Sequence, residues 1–228
     1  MTPQPARRAL IRDALAIGLA TGAYGLSFGA VAATAGLSVA QTSALSALMF
    51  TGASQFAFVA ALGSGGAWAG AATAALLGTR NAFYGLRLSP ILPPGRGRRM
   101  VGAQLVIDES TAMAVSRDDP EEARVAFWAT GIAVFVCWNT ATLIGAVAAR
   151  ALSDPRTLGL DAAAPAAFVA LLAPRLHTRT AAALAGACAA VALAATPFTP
   201  NGIPVLAAAV VVLVTAARTT PALPEERT

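Results

Sequence analysis

The sequence predicts an all-α protein, a polytopic transmembrane helical bundle of about six to eight membrane segments, at least one of them discontinuous or re-entrant. Three observations lead there. Hydrophobic residues make up 57% of the chain and charged residues 12%, with mean hydropathy +0.66, whereas a soluble domain needs roughly 25% charged residues to solvate its surface. Apolar runs close to the roughly 20 residues that span a bilayer recur along the chain. The positions of the basic residues then create a counting conflict that only a broken segment resolves.

The candidate spans lie at 14–35, 42–62, 67–86, 124–149, 179–197 and 203–217, with weaker stretches at 100–116 and 162–174. Turn-forming clusters separate them: Gly36-Leu37-Ser38, Gly63-Ser64-Gly65-Gly66, Pro90 to Arg99, Asp118-Asp119-Pro120, Ser153-Asp154-Pro155 and Pro197 to Pro204. The chain divides into a cytoplasmic N-terminal tail at 1–13, a single transmembrane domain at 14–217 and a polar C-terminal tail at 218–228. No internal repeat is visible in the residues. Arg7-Arg8, the apolar stretch from Ala14 and Ala30-Val31-Ala32 have some features of a signal peptide. The apolar stretch is too long for one, and an uncleaved first helix is expected.

The net charge of +5 comes from arginine alone, since lysine is absent. Arg7, Arg8 and Arg12 form one cluster and Arg87, Arg96, Arg98 and Arg99 another. Their places beside apolar segments fit the positive-inside rule and contact with the lipid bilayer. No basic face with base-reading residues is present, so nucleic acid is not an expected partner. Both arginine clusters belong in the cytoplasm, yet three candidate segments separate them, so one must return to its own side. The segment 41–62 is the best choice, because Gln41, Thr42, Ser43, Ser46, Thr51, Ser54 and Gln55 make it the most polar. Asp118-Asp119-Pro120-Glu121-Glu122 would then face outward, one crossing beyond Arg99.

Four places could carry chemistry. Gly22, Gly25 and Gly29 line one face of the first helix at its period of about 3.6 residues. They suit a packing seam, a helix break whose free N–H groups grip a carboxylate, or both together. Ser54 and Gln55 need hydrogen-bond partners in an apolar run, from a neighbouring helix or from a solute beside Phe56. Arg80, followed by Asn81, either snorkels or serves a function at depth. Asp108 and Glu109 project about 100° apart on a helix. One could pair with Arg80 while the other takes a proton, or both could sit in headgroup water. Asp161 suits a helix cap. Cys137 and Cys188 read as small buried hydrophobes. His177 is the single histidine, so no metal site, catalytic residue or cofactor is expected and the protein is not read as an enzyme.

Taken in order, several stretches resemble the AzlC family, the larger subunit of branched-chain amino-acid exporters. They are Gly22 to Gly29, Phe50-Thr51-Gly52-Ala53-Ser54-Gln55-Phe56, Arg80-Asn81 with Tyr84-Gly85, and Asp108-Glu109. Phe127-Trp128, Trp138-Asn139, and Gly159-Leu160-Asp161 leading to Pro165 and Phe168 complete the set. The likeness runs from about Asp13 to Ala217, although Arg80 precedes Asn81 where many members have Asn, one residue, then Arg. It implies ion-gradient-driven export of small hydrophobic amino acids across the cell inner membrane, by a multi-pass protein with a cytoplasmic N-terminus. A small AzlD-like membrane subunit is the implied partner. Gly22, Tyr24, Gly25, Phe28, Ser54, Gln55, Phe56, Arg80 and Asn81 would bind substrate, with Phe58 helping to shape the side-chain pocket. Asp108 and Glu109 would couple the ion. The competing reading is a non-transporting assembly subunit whose polar residues bind a hydrophobic partner.

Overall fold

In the computed structural model, residues 4–93, 95–151, 169, 172–173, 176–199 and 203–219 are described. Among them the chain is all-helical, without strands. The helices are α1 (Gln4–Thr34), α2 (Val39–Leu48), α3 (Gly52–Leu88), α4 (Arg96–Gln104), α5 (Asp108–Val115), α6 (Pro120–Ala151), α7 (Arg179–Ala195) and α8 (Ile203–Thr219). The expected stretch at 162–174 lies largely outside the described residues, as do Asp161 and most of the C-terminal tail. α1 begins at Gln4, so the N-terminal arginines extend the first helix.

Two helices, Arg7–Thr34 and Pro120–Ala151, are long and apolar enough to cross a membrane. The bundle buries several polar side chains together with its apolar core and turns large apolar side chains outward. Thr42, Ser46, Gln55, Ser110, Thr130 and Thr142 are wholly buried, while Leu19, Leu26, Ile132, Val136 and Ile144 face outward. Water would favour the reverse arrangement, and lipid favours this one.

α1 and α6 run parallel along a seam of small residues. A Cβ added at Gly18 would meet Ala133, one at Gly22 would meet Cys137, and one at Gly25 would meet the Trp138 carbonyl oxygen at 2.7 Å. Gly29 faces the Thr142 carbonyl, and Gly145 returns the contact from α6 against Leu26. The sequence alternatives for Gly22, Gly25 and Gly29 thus resolve into the packing seam. α1 is continuous through them, and positive φ occurs among the described glycines only at Gly36, Gly66 and Gly95. The expected break at Gly22–Gly25 does not exist, because direct backbone contact with α6 holds that stretch in helix.

The breaks lie elsewhere, in two helical hairpins. α2 starts near the Ala151 end of α6, where Arg150 donates to the Leu37 carbonyl. It descends until Ser46 meets Thr142, and the helix stops at Met49. The first arm of α3 then climbs back, so that Phe58 lies with Leu37, Gln41 and Leu45 around one groove. Gly66, at φ 84°, reverses the chain. The second arm, 67–88, passes Phe58 at Gly70 and Ser54 at Gly78. It continues to the Pro120 end, where Arg87 and Leu88 meet Pro120 and Ala123. α4 enters from that end, with Gly102 near Trp128 and Leu105 against Gly131. α5 returns to it, bringing Ala114 and Arg117 beside Arg87.

The segment 41–62 is therefore broken at 49–51 and turns back on itself. The acidic stretch 118–122 is a correction, because α4 and α5 form a hairpin and return the chain to the Arg96–Arg99 end. α2 has 10 residues, α4 has 9 and α5 has 8. At about 1.5 Å per residue, none covers the roughly 30 Å hydrocarbon core. α7 and α8 pack on each other, with the Cys188 thiol donating to the Ala208 carbonyl.

Two predictions follow from this geometry. Gly29→Ala should destabilise the detergent-solubilised protein by about 1–3 kcal/mol, because its methyl meets backbone that cannot swing aside. Gly85→Ala, in helix with open space around it, should be neutral or stabilising by up to about 1 kcal/mol. Equal thermal shifts for the two would remove the seam from the account. In a background with Cys137→Ala and Cys188→Ala, Ser38→Cys and Trp68→Cys should react with an impermeant thiol reagent from one side of the membrane. Arg98→Cys and Asp118→Cys should react from the other side. Labelling of Arg98→Cys and Asp118→Cys from opposite sides would contradict the second hairpin.

Candidate functional site

A helix that stops inside a bundle leaves its last carbonyls and the next helix's first N–H groups without partners. At the first break, side-chain amides satisfy the carbonyls. Gln55 Nε2 donates to Ser46 O at 3.1 Å and Met49 O at 2.7 Å. Its Oε1 accepts from Trp138 Nε1 at 2.9 Å. Gln104 Nε2 reaches from the second hairpin to Ala47 O at 2.6 Å and Leu48 O at 3.4 Å. At the second break, Ser110 Oγ donates to Leu105 O at 2.6 Å and accepts from Ile107 N–H at 3.1 Å.

Both breaks open on one cavity of about 370 Å³, within the size range of small-molecule sites. Thr51, Gly52 and Ala53 from the start of α3 line it, as do Ile107, Asp108 and Glu109 from the start of α5. Thr21, Tyr24, Phe50, Leu77, Arg80, Val134, Trp138 and Leu172 complete the wall. Thr51 places no side-chain cap on the α3 N-terminus. Backbone N–H groups carrying the positive end of the helix dipole therefore sit at the cavity wall.

Arg80 Nη2 pairs with Asp108 Oδ2 at 2.9 Å, both side chains being a little over a quarter exposed (29% and 27%). The partner expected for Arg80 among Asp108 and Glu109 is thus Asp108, brought across from α5 to the second arm of α3. Arg80 Nε is buried without a hydrogen-bond partner. Glu109, on the next radial position, also lines the wall.

The structure sorts the candidate residues by place. Tyr24, Arg80, Asp108 and Glu109 line the cavity. Gly22 and Gly25 lie in the seam with α6, and their N–H groups belong to a continuous helix. Gln55 is wholly buried, with both amide hydrogens and its oxygen engaged. Phe28 and Phe56 are buried behind Trp138, meeting edge-to-face at 5.5 Å, and Phe28 stacks on Trp138 at 6.2 Å. Ser54 Oγ and Asn81 Oδ1 are buried without hydrogen-bond partners, and neither residue lines the cavity. Sequence reasoning missed the cavity roles of Thr21, Leu77, Ile107 and Val134, which look like ordinary apolar or small helix residues. It also missed Gln104. A glutamine just before Leu105-Val106-Ile107 was the available signal.

Among the described residues no group of His, Cys, Asp and Glu could hold a metal ion. The family model described as AzlC protein matches residues 16–152, more than half of the chain and every element that forms the cavity save Leu172. The chain belongs to the AzlC family. No curated protein matches the chain, and no solved structure does. AzlC membership, together with the outward-facing apolar helices, marks it as a membrane protein related to branched-chain amino-acid export. The segment matched to AzlC holds both hairpins and the helices α1 and α6 that clasp them.

The ion pair yields a test. Arg80→Gln and Asp108→Asn should each lower thermal stability by about 1–3 kcal/mol, since each leaves an opposite charge unpaired in a mostly apolar wall. The double substitution should be less destabilised than the sum of the two. Strictly additive losses in purified protein would show that the charges are not coupled.

Proposed function

We propose that this protein is a secondary transporter that exports branched-chain or similar hydrophobic amino acids, driven by an ion gradient. The observation that carries the reading is the meeting of two helix breaks at one cavity beside the Arg80–Asp108 pair. Discontinuous helices supply dipole ends for charged solute groups where unbroken helices offer none.

The cavity suits a small zwitterion with an apolar side chain. The uncapped start of α3 and Arg80 favour its carboxylate. Asp108 and Glu109 favour its ammonium group and are the proposed ion-coupling residues. Tyr24, Phe50, Ile107, Val134 and Trp138 offer the apolar surface. The chain lacks lysine and hence a phosphate-loop motif, so a gradient supplies the driving force.

The Pro120 end gathers Arg87 and Arg96 to Arg99 with the N-terminal arginines, and we assign it to the cytoplasm. This gives a multi-pass inner-membrane protein with a cytoplasmic N-terminus. The helices α1, α6, α7 and α8, the second arm of α3 and the two hairpins fall within six to eight membrane segments. A small AzlD-like subunit is the proposed partner, as the family relation suggests.

Purified protein in liposomes preloaded with labelled leucine tests the reading, with and without the small subunit. Wild type should release leucine under an imposed proton gradient. Arg80→Gln should slow release by roughly tenfold or more, the loss of one charge-assisted contact. Folded wild type with its subunit releasing leucine no faster than protein-free vesicles would overturn it.

A further inference from the structure

The two hairpins enter from opposite ends of the bundle. α2 and the first arm of α3 come from the Ala151 end, and α4 and α5 from the Pro120 end. Each follows an end-to-end helix, α1 or the second arm of α3. Two units of the same plan, one long helix and one helical hairpin, therefore lie in opposite orientations. Their tips, at 49–51 and 105–107, meet at the cavity.

One side chain bonds one tip directly to the other. Gln104, the last residue of α4, donates through Nε2 to the Ala47 carbonyl at 2.6 Å and to Leu48 O at 3.4 Å. These are end carbonyls of α2, with no intrahelical donor of their own. Gln55 satisfies the neighbouring carbonyls of Ser46 and Met49 from within its own hairpin. Gln55 therefore shapes the first tip, whereas Gln104 joins the tips. Gln104 is half-buried and does not line the cavity.

We infer that Gln104 is a positioning residue that latches the two opposed hairpins across the cavity, and that its release lets one hairpin draw away and expose the site. Each hairpin then acts as the gate toward the end from which it enters. The bond suits a reversible latch. It is a neutral amide–carbonyl contact whose net worth is small, and its half-buried place lets water replace it on opening. A salt bridge at the same place would hold the tips more firmly. The inference deepens the transport reading and rests on it only for its consequence, since a latch can be detected without any transported solute.

The test uses the full chain in liposomes with Cys137→Ala, Cys188→Ala and Ala53→Cys, which puts one thiol on the cavity wall. The probe is an impermeant methanethiosulfonate, applied from each side. Gln104→Met keeps side-chain length and removes the donor. It should raise the modification rate at position 53 from at least one side by roughly two- to tenfold, the shift worth one lost hydrogen bond. Gln104→Glu, which also lacks a donor and sets a negative charge against two carbonyls, should raise it further. A packing role alone predicts that Met behaves like Gln.

Unchanged rates in a folded Gln104→Met protein overturn the latch. If Met prevents folding, Gln104→Asn takes its place, retaining the donor but shortening its reach. An unchanged rate there overturns the latch equally. Leucine release from vesicles that hold the wild-type chain, without the thiol at position 53, separates the two ideas. Faster labelling without leucine release keeps the latch and defeats the substrate assignment, whereas leucine release with unchanged labelling does the reverse.

Discussion

The backbone contact between α1 and α6 is the constraint on which the other elements depend. Gly25 lies so close to Trp138 that any side chain would strike a carbonyl oxygen, and Gly29 and Gly145 repeat the arrangement further along. In lipid no hydrophobic force drives helices together, so close approach must come from dispersion and shape. Glycine costs a helix roughly 0.5–1 kcal/mol each relative to alanine. The close α1–α6 packing offsets that cost and fixes the rotation of α6. That rotation turns Trp138 toward α3, where its indole N–H holds Gln55. Gln55 in turn holds the end of α2. A glycine pattern in α1 thus reaches a helix break two elements away.

The breaks illustrate the accounting that an apolar environment imposes. Every carbonyl freed at the end of α2, from Ser46 to Met49, accepts from a side-chain amide. At the second break the Ser110 hydroxyl donates to Leu105 O and accepts from Ile107 N–H. In water such groups would be solvated at little cost, whereas in hydrocarbon each unsatisfied one costs several kcal/mol. Polar side chains in these segments are consequently structural where they meet carbonyls and available for chemistry where they meet the cavity. Gln55 falls in the first class and Arg80 in the second, though both read as equally anomalous in the sequence.

That distinction sets what was legible from residues alone. Composition gives the helical membrane class directly, because an apolar excess of this size has few other solutions. The arginine clusters point to an irregular segment at 41–62, where the helix does break, since charge distribution constrains the number of crossings. The second hairpin escaped notice because 100–116 is too polar for a span, and its acidic sequel has little orienting force. The glycines of α1 suggested a break for a real reason, as glycine serves both close packing and broken helix. Local sequence cannot separate the two uses, and only the opposing Ala133, Cys137 and Trp138 decide it. The Arg80–Asp108 pair was foreseeable, since an isolated charge at depth needs a partner and few acids stand nearby.

The charge arrangement also explains why the cavity is set at the breaks. The start of α3 has no side-chain cap, and the start of α5 carries Asp108 and Glu109 in its first turn. The acids satisfy the positive dipole end of α5 internally, so that end needs no solute. The start of α3 has no acid in its first turn and no side-chain cap. Of two helix starts at one cavity, one carries acids in its first turn and the other carries none. Arg80 sits between them, paired with Asp108 at 2.9 Å. For the amino-acid solute proposed above, a carboxylate arriving at α3 would compete for that guanidinium, and the ammonium group would then replace Arg80 beside Asp108. Pair exchange of this kind leaves the number of buried charges balanced, which a lone cation or anion entering the same site would not achieve.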